Sequence, residues 1–128
     1  MNGLRKIVKL LPLSLQKRLP KTVSLITITS RESRRINRTY RKKDRATNVL
    51  SFYYDHSYGE ILICPEVIRR EAREQKNPYQ YQYAWMIIHG VLHCAGMHHE
   101  KSKTLAKKVE LLEQKILLRI DSSLRSVN

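Results

Sequence analysis

Residues 89–100 read HGVLHCAGMHHE and contain four of the five histidines of this 128-residue chain. His89 and His93 are four positions apart, so on a helix both imidazoles project from one face and can reach a single ion. Gly96 is typical of the residue that ends a helix, and a chain that reverses there brings His99 back towards the same point. The stretch therefore predicts a helix, the loop after it, and a three-histidine metal site built from both.

The spacing H-x3-H-x2-G-x2-H is that of the metzincin zinc peptidases, so the predicted site is zincin-like. Three imidazoles leave one tetrahedral position of a zinc ion open, as in catalytic rather than structural sites. A zinc peptidase also has a glutamate directly after the first histidine as its general base. Here that residue is Gly90, which disfavours a peptidase.

The rest of the chain predicts an α+β fold, with a small sheet covered by helices. At this length we expect one domain over residues 1–128. The predicted elements are a helix in the first 11 residues, a strand over 22–28, a helix from Thr29 to about 40, strands over 47–54 and 60–64, and helices over 65–75, 80–95 and 102–120. The strand at 22–28 is apolar on both faces, so we expect it to be covered on both sides or to contain a bulge at Leu25-Ile26.

The charge is strongly asymmetric. The net charge is +14, and residues 1–48 hold 14 of the 25 Lys and Arg but only 2 of the 11 Asp and Glu. Such a distribution predicts a polyanionic partner, either nucleic acid or an anionic membrane surface. No segment has the roughly 18 apolar residues that span a bilayer. Two cysteines are too few for a disulfide-stapled secreted protein, which favours an intracellular setting.

Much of the positive charge lies on the helix that begins after Thr29 and on its exit. Only Glu32 and Asp44 are available there to neutralise it, so we predict a phosphate-binding face, the alternative being a solvated surface. The candidate RNA-binding residues are Arg34, Arg35, Arg38, Lys42, Lys43 and Arg45.

Two groups of tyrosines are candidates for stacking on bases, although packing is the commoner role and is what we expect. The groups are Tyr79, Tyr81 and Tyr83, and Tyr53, Tyr54 and Tyr58. Cys64 and Cys94 are expected to be reduced and buried.

The histidine stretch resembles the HGxLHLxGYDHE signature of the YbeY family of metal-dependent endoribonucleases. Three further stretches agree in order with that family. Residues 36–41 resemble its LNxxYR motif, residues 44–52 resemble DxPTNVLSF, and residues 59–61 stand where the family has GDI.

The resemblance implies a mixed sheet with helices and one zinc ion per chain bound by His89, His93 and His99. It implies that Arg41 is the functional arginine facing the scissile phosphate. It also implies cleavage of single-stranded RNA in 16S rRNA 3′-end maturation and ribosome quality control. The expected location is cytoplasmic, the expected partners are small-subunit rRNA and ribosomal particles, and no stable membrane association is expected.

The sequence departs from the family pattern at four points. His98 replaces an aspartate beside the third ligand, where it would alter the hydrogen bonding or compete for the metal. Met97 replaces an aromatic residue, and Tyr53 stands where proline usually follows Ser-Phe. The chain also begins on a predicted helix where the family has a strand.

As a mechanism we expect a metal-bound water, with Arg41 offsetting the charge that gathers on the phosphate. Attack by water and attack by the RNA's own 2′-OH both remain open. The base is one of His98, Glu100 and Asp44. Two alternative functions remain at this point, a ribosome-associated RNA-binding assembly factor with a structural metal and a metallohydrolase acting on another substrate such as a peptide.

Overall fold

The computed structural model describes residues 2–98 and 102–127, and the side chains of 3–98 and 102–120. Within these residues six helices and three strands follow one another as α1 (Asn2–Leu10), α2 (Leu13–Gln16), β1 (Thr22–Thr27), α3 (Ser30–Arg41), β2 (Val49–Asp55), β3 (Tyr58–Ile63), α4 (Pro65–Gln75), α5 (Tyr79–Cys94) and α6 (Lys103–Val127). The predicted α+β class is confirmed. The short α2 was not predicted, and α6 continues beyond the predicted end at 120.

The three strands form a mixed sheet in the order β1-β3-β2. β1 pairs with β3 in parallel, and β2 and β3 form an antiparallel hairpin. Being central, β3 is the best buried strand, with Ile61 and Ile63 at 0% exposure. The β1 register is continuous, so the bulge considered there is absent. The irregularity lies instead in β2, between Tyr53 and Asp55.

Apolar side chains cover both faces of the sheet. The larger cluster joins one face to α1, α5 and α6, and Val23 and Leu25 of β1 pack against it. The smaller cluster lies on the other face and includes Ile28, Leu50 and Leu62. The second face of β1 is not covered along the strand, because Ile26 is 37% exposed and belongs to neither cluster. The expectation that β1 is covered on both sides is therefore wrong.

Gly90 brings α5 close to the sheet. A Cβ at this position would lie 2.8 Å from Ile61 Cγ2 and 3.2 Å from Val49 Cγ2. The Ser51 hydroxyl donates a hydrogen bond to the Gly90 carbonyl oxygen at 3.0 Å. Position 90 therefore faces the sheet, and the histidine one residue earlier is turned away from that contact.

The ends of α3 fix the loop that leads into β2. Thr29 and Glu32 form a capping box at its start, and Lys42 ends it in the left-handed conformation at φ 57°. Buried Asn37 donates from Nδ2 to the Arg45 carbonyl oxygen at 2.9 Å. Ser33 Oγ donates to the Thr47 carbonyl oxygen at 2.8 Å. These bonds hold Arg41 at the junction of α3 and the loop.

Gly96 reverses the chain after α5, as predicted. Its φ is +88°, its N–H donates to the His93 carbonyl oxygen at 2.9 Å, and the Met97 N–H donates to the Leu92 carbonyl oxygen at 2.9 Å. No helix in the described part of the chain has the length and apolar character needed to cross a membrane.

Candidate active site

Three histidines line one pocket next to the sheet. The ring centroids of His89 and His93 on α5 lie 4.9 Å apart. His98 follows the reversal at Gly96, and its ring lies 5.1 Å from that of His93. The predicted third ligand His99 and the candidate base Glu100 lie outside the described residues.

The zinc site itself stays a prediction. Within residues 2–98 and 102–127, no group of three His, Cys, Asp or Glu side chains is arranged to hold a metal ion, and one of the three predicted ligands is not among those residues. The donors that are described fit a metal nonetheless, because His89 and His93 present two imidazoles from adjacent turns of one helix.

Glu113 of α6 contacts the first of these histidines. This carboxylate is only 5% exposed. Its Oε2 lies 2.6 Å from His89 Nδ1, and its Oε1 accepts a hydrogen bond from Trp85 Nε1 at 3.1 Å. A carboxylate at Nδ1 keeps the proton on that nitrogen and leaves Nε2 as the lone-pair donor, which is the usual arrangement for a histidine that binds a metal. Glu113 was not predicted as a site residue; its only signal in the sequence is an acidic residue among the apolar positions of α6.

Arg41 shares the pocket with the histidines. The pocket has a volume of about 410 Å³ and is lined by Tyr40 and Arg41 from α3, by residues 47–52 and by His89, His93 and His98. β2 is an edge strand, so the pocket runs along an open side of the sheet. The structure thus brings the predicted arginine and the histidines to one cavity, although they are 48 positions apart in the sequence.

Asp44 does not line this pocket. It accepts two hydrogen bonds from Arg34, at 2.9 and 3.1 Å, and one from Arg38 at 3.4 Å. The Arg34 hydrogen bond holds the pKa of the Asp44 carboxyl below its usual value. One carboxylate is thus shared between two exposed arginines, which agrees with the expectation that this basic segment is poorly neutralised. Asp44 is held in this pairing and is not carried forward as the base. All six candidate RNA-binding residues are exposed, namely Arg34, Arg35, Arg38, Lys42, Lys43 and Arg45.

Packing explains most of the remaining aromatic and cysteine side chains. Tyr79, Tyr81 and Tyr83 are partly buried against the larger cluster, as expected. Both cysteines are buried, and burial raises the pKa of the Cys94 thiol to about 11. Tyr53 and Tyr54 are 52% and 59% exposed. Tyr54 stacks on Phe52 and Tyr58 and donates a hydrogen bond to Glu60, whereas the packing interpretation is wrong for Tyr53.

The chain is similar to curated proteins that share one name. The chain is 46% identical over 89 residues to a protein of Aromatoleum aromaticum named Endoribonuclease YbeY, a match covering 67% of this chain and 57% of the relative. A protein of the same name from Delftia acidovorans is 36% identical over 101 residues, covering 77% of this chain and 66% of the relative. The chain spans about half to two thirds of the length of these curated relatives.

The solution structure of TM1509 from Thermotoga maritima is similar with a TM-score of 0.64 and 27% identity, over 98% of this chain and 85% of that one. The family model described as Endoribonuclease YbeY matches residues 2–121, which is nearly the whole chain. The chain belongs to the YbeY family.

Proposed function

We propose that this chain is a zinc-dependent endoribonuclease that cleaves single-stranded RNA in the cytoplasm, during 3′-end maturation of 16S rRNA in ribosomal particles. Support comes from family membership and from relatives that carry the name endoribonuclease. The observation that carries the proposal is the shared pocket of Arg41 and the histidines, because hydrolysis of a phosphodiester needs a cation at the phosphate beside the group that activates the nucleophile.

His89, His93 and His99 are the proposed ligands of one zinc ion. Zinc bound there would supply Lewis-acid chemistry towards water and a phosphate oxygen. Glu113 accepts the Nδ1–H of His89 and so directs the other ring nitrogen into the pocket. The second oxygen of the Glu113 carboxylate accepts a hydrogen bond from Trp85. This bond restrains the carboxylate itself.

Arg41 is the proposed phosphate contact. Its guanidinium can donate two parallel hydrogen bonds to phosphate oxygens and offset the charge that develops there. His98 lines the same pocket, whereas Asp44 accepts hydrogen bonds from Arg34. Among the original base candidates, His98 and Glu100 therefore remain.

Gly90 argues against the peptidase alternative. The glutamate that a zinc peptidase has at this position would need a Cβ 2.8 Å from Ile61 Cγ2. The same Cβ would lie 3.2 Å from both Ser51 Oγ and Val49 Cγ2, so the side chain has no free space to start in. A peptide substrate would therefore need another base.

The test compares one labelled RNA in two forms, single-stranded and annealed to its complement. We expect the zinc-loaded chain to cut the single strand and spare the duplex. We also expect a chelator to abolish cutting and added zinc to restore it. RNA that is bound but never cut would favour the assembly factor, and peptide cleavage without RNA cleavage would favour the other hydrolase.

A further inference from the structure

A second pocket shares two of its lining histidines with the first. It has a volume of about 460 Å³ and is lined by Arg18, Tyr53, His56, residues 94–96, and the same His93 and His98 that line the first pocket. The two pockets therefore share a wall at these two imidazoles. An RNA strand bound along Arg41 and the histidines can therefore continue into the second pocket.

Tyr53 offers an aromatic face in this pocket. Alternation along β2 puts it on the same side of the strand as Val49 and Ser51, both of which contact position 90 of α5. The strand register shifts directly after it, and 52% of the residue stays exposed. An exposed tyrosine ring in an open pocket can stack on an unpaired base, whatever the identity of that base.

Arg18 supplies positive charge to the same pocket. It is exposed, and its Nη2 lies 2.6 Å from where a Cβ at position 96 would stand. The guanidinium thus rests on Gly96, next to the histidine loop. No described carboxylate forms an ion pair with it, which leaves its charge available for a phosphate.

We propose that the second pocket is a nucleotide subsite of the RNA groove, in which Arg18 contacts a phosphate adjacent to the scissile one and Tyr53 stacks on a base. This inference rests on the proposed endoribonuclease function and extends it. The ring of Tyr53 needs an unpaired base, so the subsite also contributes to the preference for single strands. Arg18 and Tyr53 act in binding, whereas the chemistry takes place in the first pocket.

The test measures kcat and KM on single-stranded RNAs of increasing length for the zinc-loaded wild type, Arg18→Ala, Arg18→Gln, Tyr53→Ala and Tyr53→Phe. The matched control is Lys17→Ala, an exposed basic neighbour that lines neither pocket. We expect Tyr53→Ala to raise KM roughly tenfold, as loss of one stacked base does, with kcat little changed and Tyr53→Phe close to wild type.

We expect both Arg18 variants to raise KM and to reduce the slope of log(kcat/KM) against log[salt] by about 0.7, the value for one phosphate contact on a single strand. Both effects should vanish on oligonucleotides too short to fill the two pockets. If the wild type cuts RNA and the Arg18 and Tyr53 variants behave like Lys17→Ala at every length, the subsite is wrong and the endoribonuclease stands. If the wild type neither binds nor cuts RNA, both proposals fail.

Discussion

The two pockets that share His93 and His98 are the two ends of the proposed RNA groove. They differ in how the fold builds them. At one end Arg41 closes α3, and hydrogen bonds from buried Asn37 and from Ser33 fix the loop that follows it. At the other end Arg18 follows the short α2 and rests on Gly96. Both arginines line a pocket that includes His93 and His98, but only Arg41 falls in a stretch that resembles a family motif.

The difference shows what motifs and packing each contribute. Arg41 sits where the reacting phosphate is proposed to lie, so its position relative to the histidines has to be fixed closely. Arg18 and Tyr53 border the next nucleotide, where affinity depends on charge and exposed aromatic surface rather than on a fixed geometry. We therefore expect substitutions at the Arg41 end to lower kcat and substitutions at the Arg18 end to raise KM.

Replacing Arg41 should give the largest effect. We expect Arg41→Ala to lower kcat by about 100-fold or more, because it removes a donor that stabilises charge in the transition state. Arg18→Ala should instead act on KM. Steady-state kinetics on one single-stranded RNA measure both, with Arg70→Ala on the exposed face of α4 as the control. Equal losses of kcat in the Arg41 and Arg18 variants would contradict the division of roles.

Substitution of Glu113 tests whether this carboxylate orients His89 for binding a metal ion. We expect Glu113→Gln to weaken zinc binding by about 10- to 100-fold, because the amide cannot accept hydrogen bonds from both His89 and Trp85. Competition with a chelating dye measures the affinity without any RNA. Glu110→Gln, exposed one turn earlier on the same helix, is the control. Unchanged zinc affinity in a folded Glu113→Gln chain would remove the carboxylate from the site.

Gly96 links the histidine loop to the Arg18 end of the groove. We expect Gly96→Ala to lower the free energy of unfolding by about 1–2 kcal/mol, since φ is +88° there and a side chain is strained in that region. The new methyl would also displace the Arg18 guanidinium and raise KM for RNA. Urea unfolding and kinetics check the two effects. Wild-type stability and KM would mean that the loop has another conformation in solution.

Asp44 should give the smallest effect. Arg34 lowers the pKa of this carboxyl, so the pair stabilises the fold above the ordinary pKa of an aspartate and ceases to do so as pH falls through the lowered value. Asp44→Asn should therefore be slightly less stable than wild type at neutral pH and equal to it in acid. Urea unfolding across this range measures the difference. RNA cleavage that depends on Asp44 would restore it as a candidate base.

The sequence predicted the parts of the fold that depend on local signals. The structure contains the helices predicted after Thr29 and from residue 65 and the reversal predicted at Gly96. Each of these features depends on neighbouring residues. Glu113 is 24 positions from His89, and only the packing of α6 on α5 brings the two together. Its presence among buried positions was a usable signal, since a carboxylate there needs a partner.

The second pocket was missed for a related reason. From the sequence, Tyr53 looked like a residue that packs in the core. Its exposure depends on where β2 ends and on the register shift that follows Tyr53. Arg18 belonged to a diffuse basic region, and only the close approach at Gly96 distinguishes it from its neighbours. Neither feature has a spacing that a sequence pattern can record.

The most direct test of the central claim is the rate of single-stranded RNA cleavage by wild type and by His89→Ala, each supplied with equal zinc and checked for folding by circular dichroism. The account predicts cleavage by the wild type and none above background by the variant. Cleavage by folded His89→Ala at the wild-type rate would contradict it, because the chemistry would then lie outside the histidine pocket.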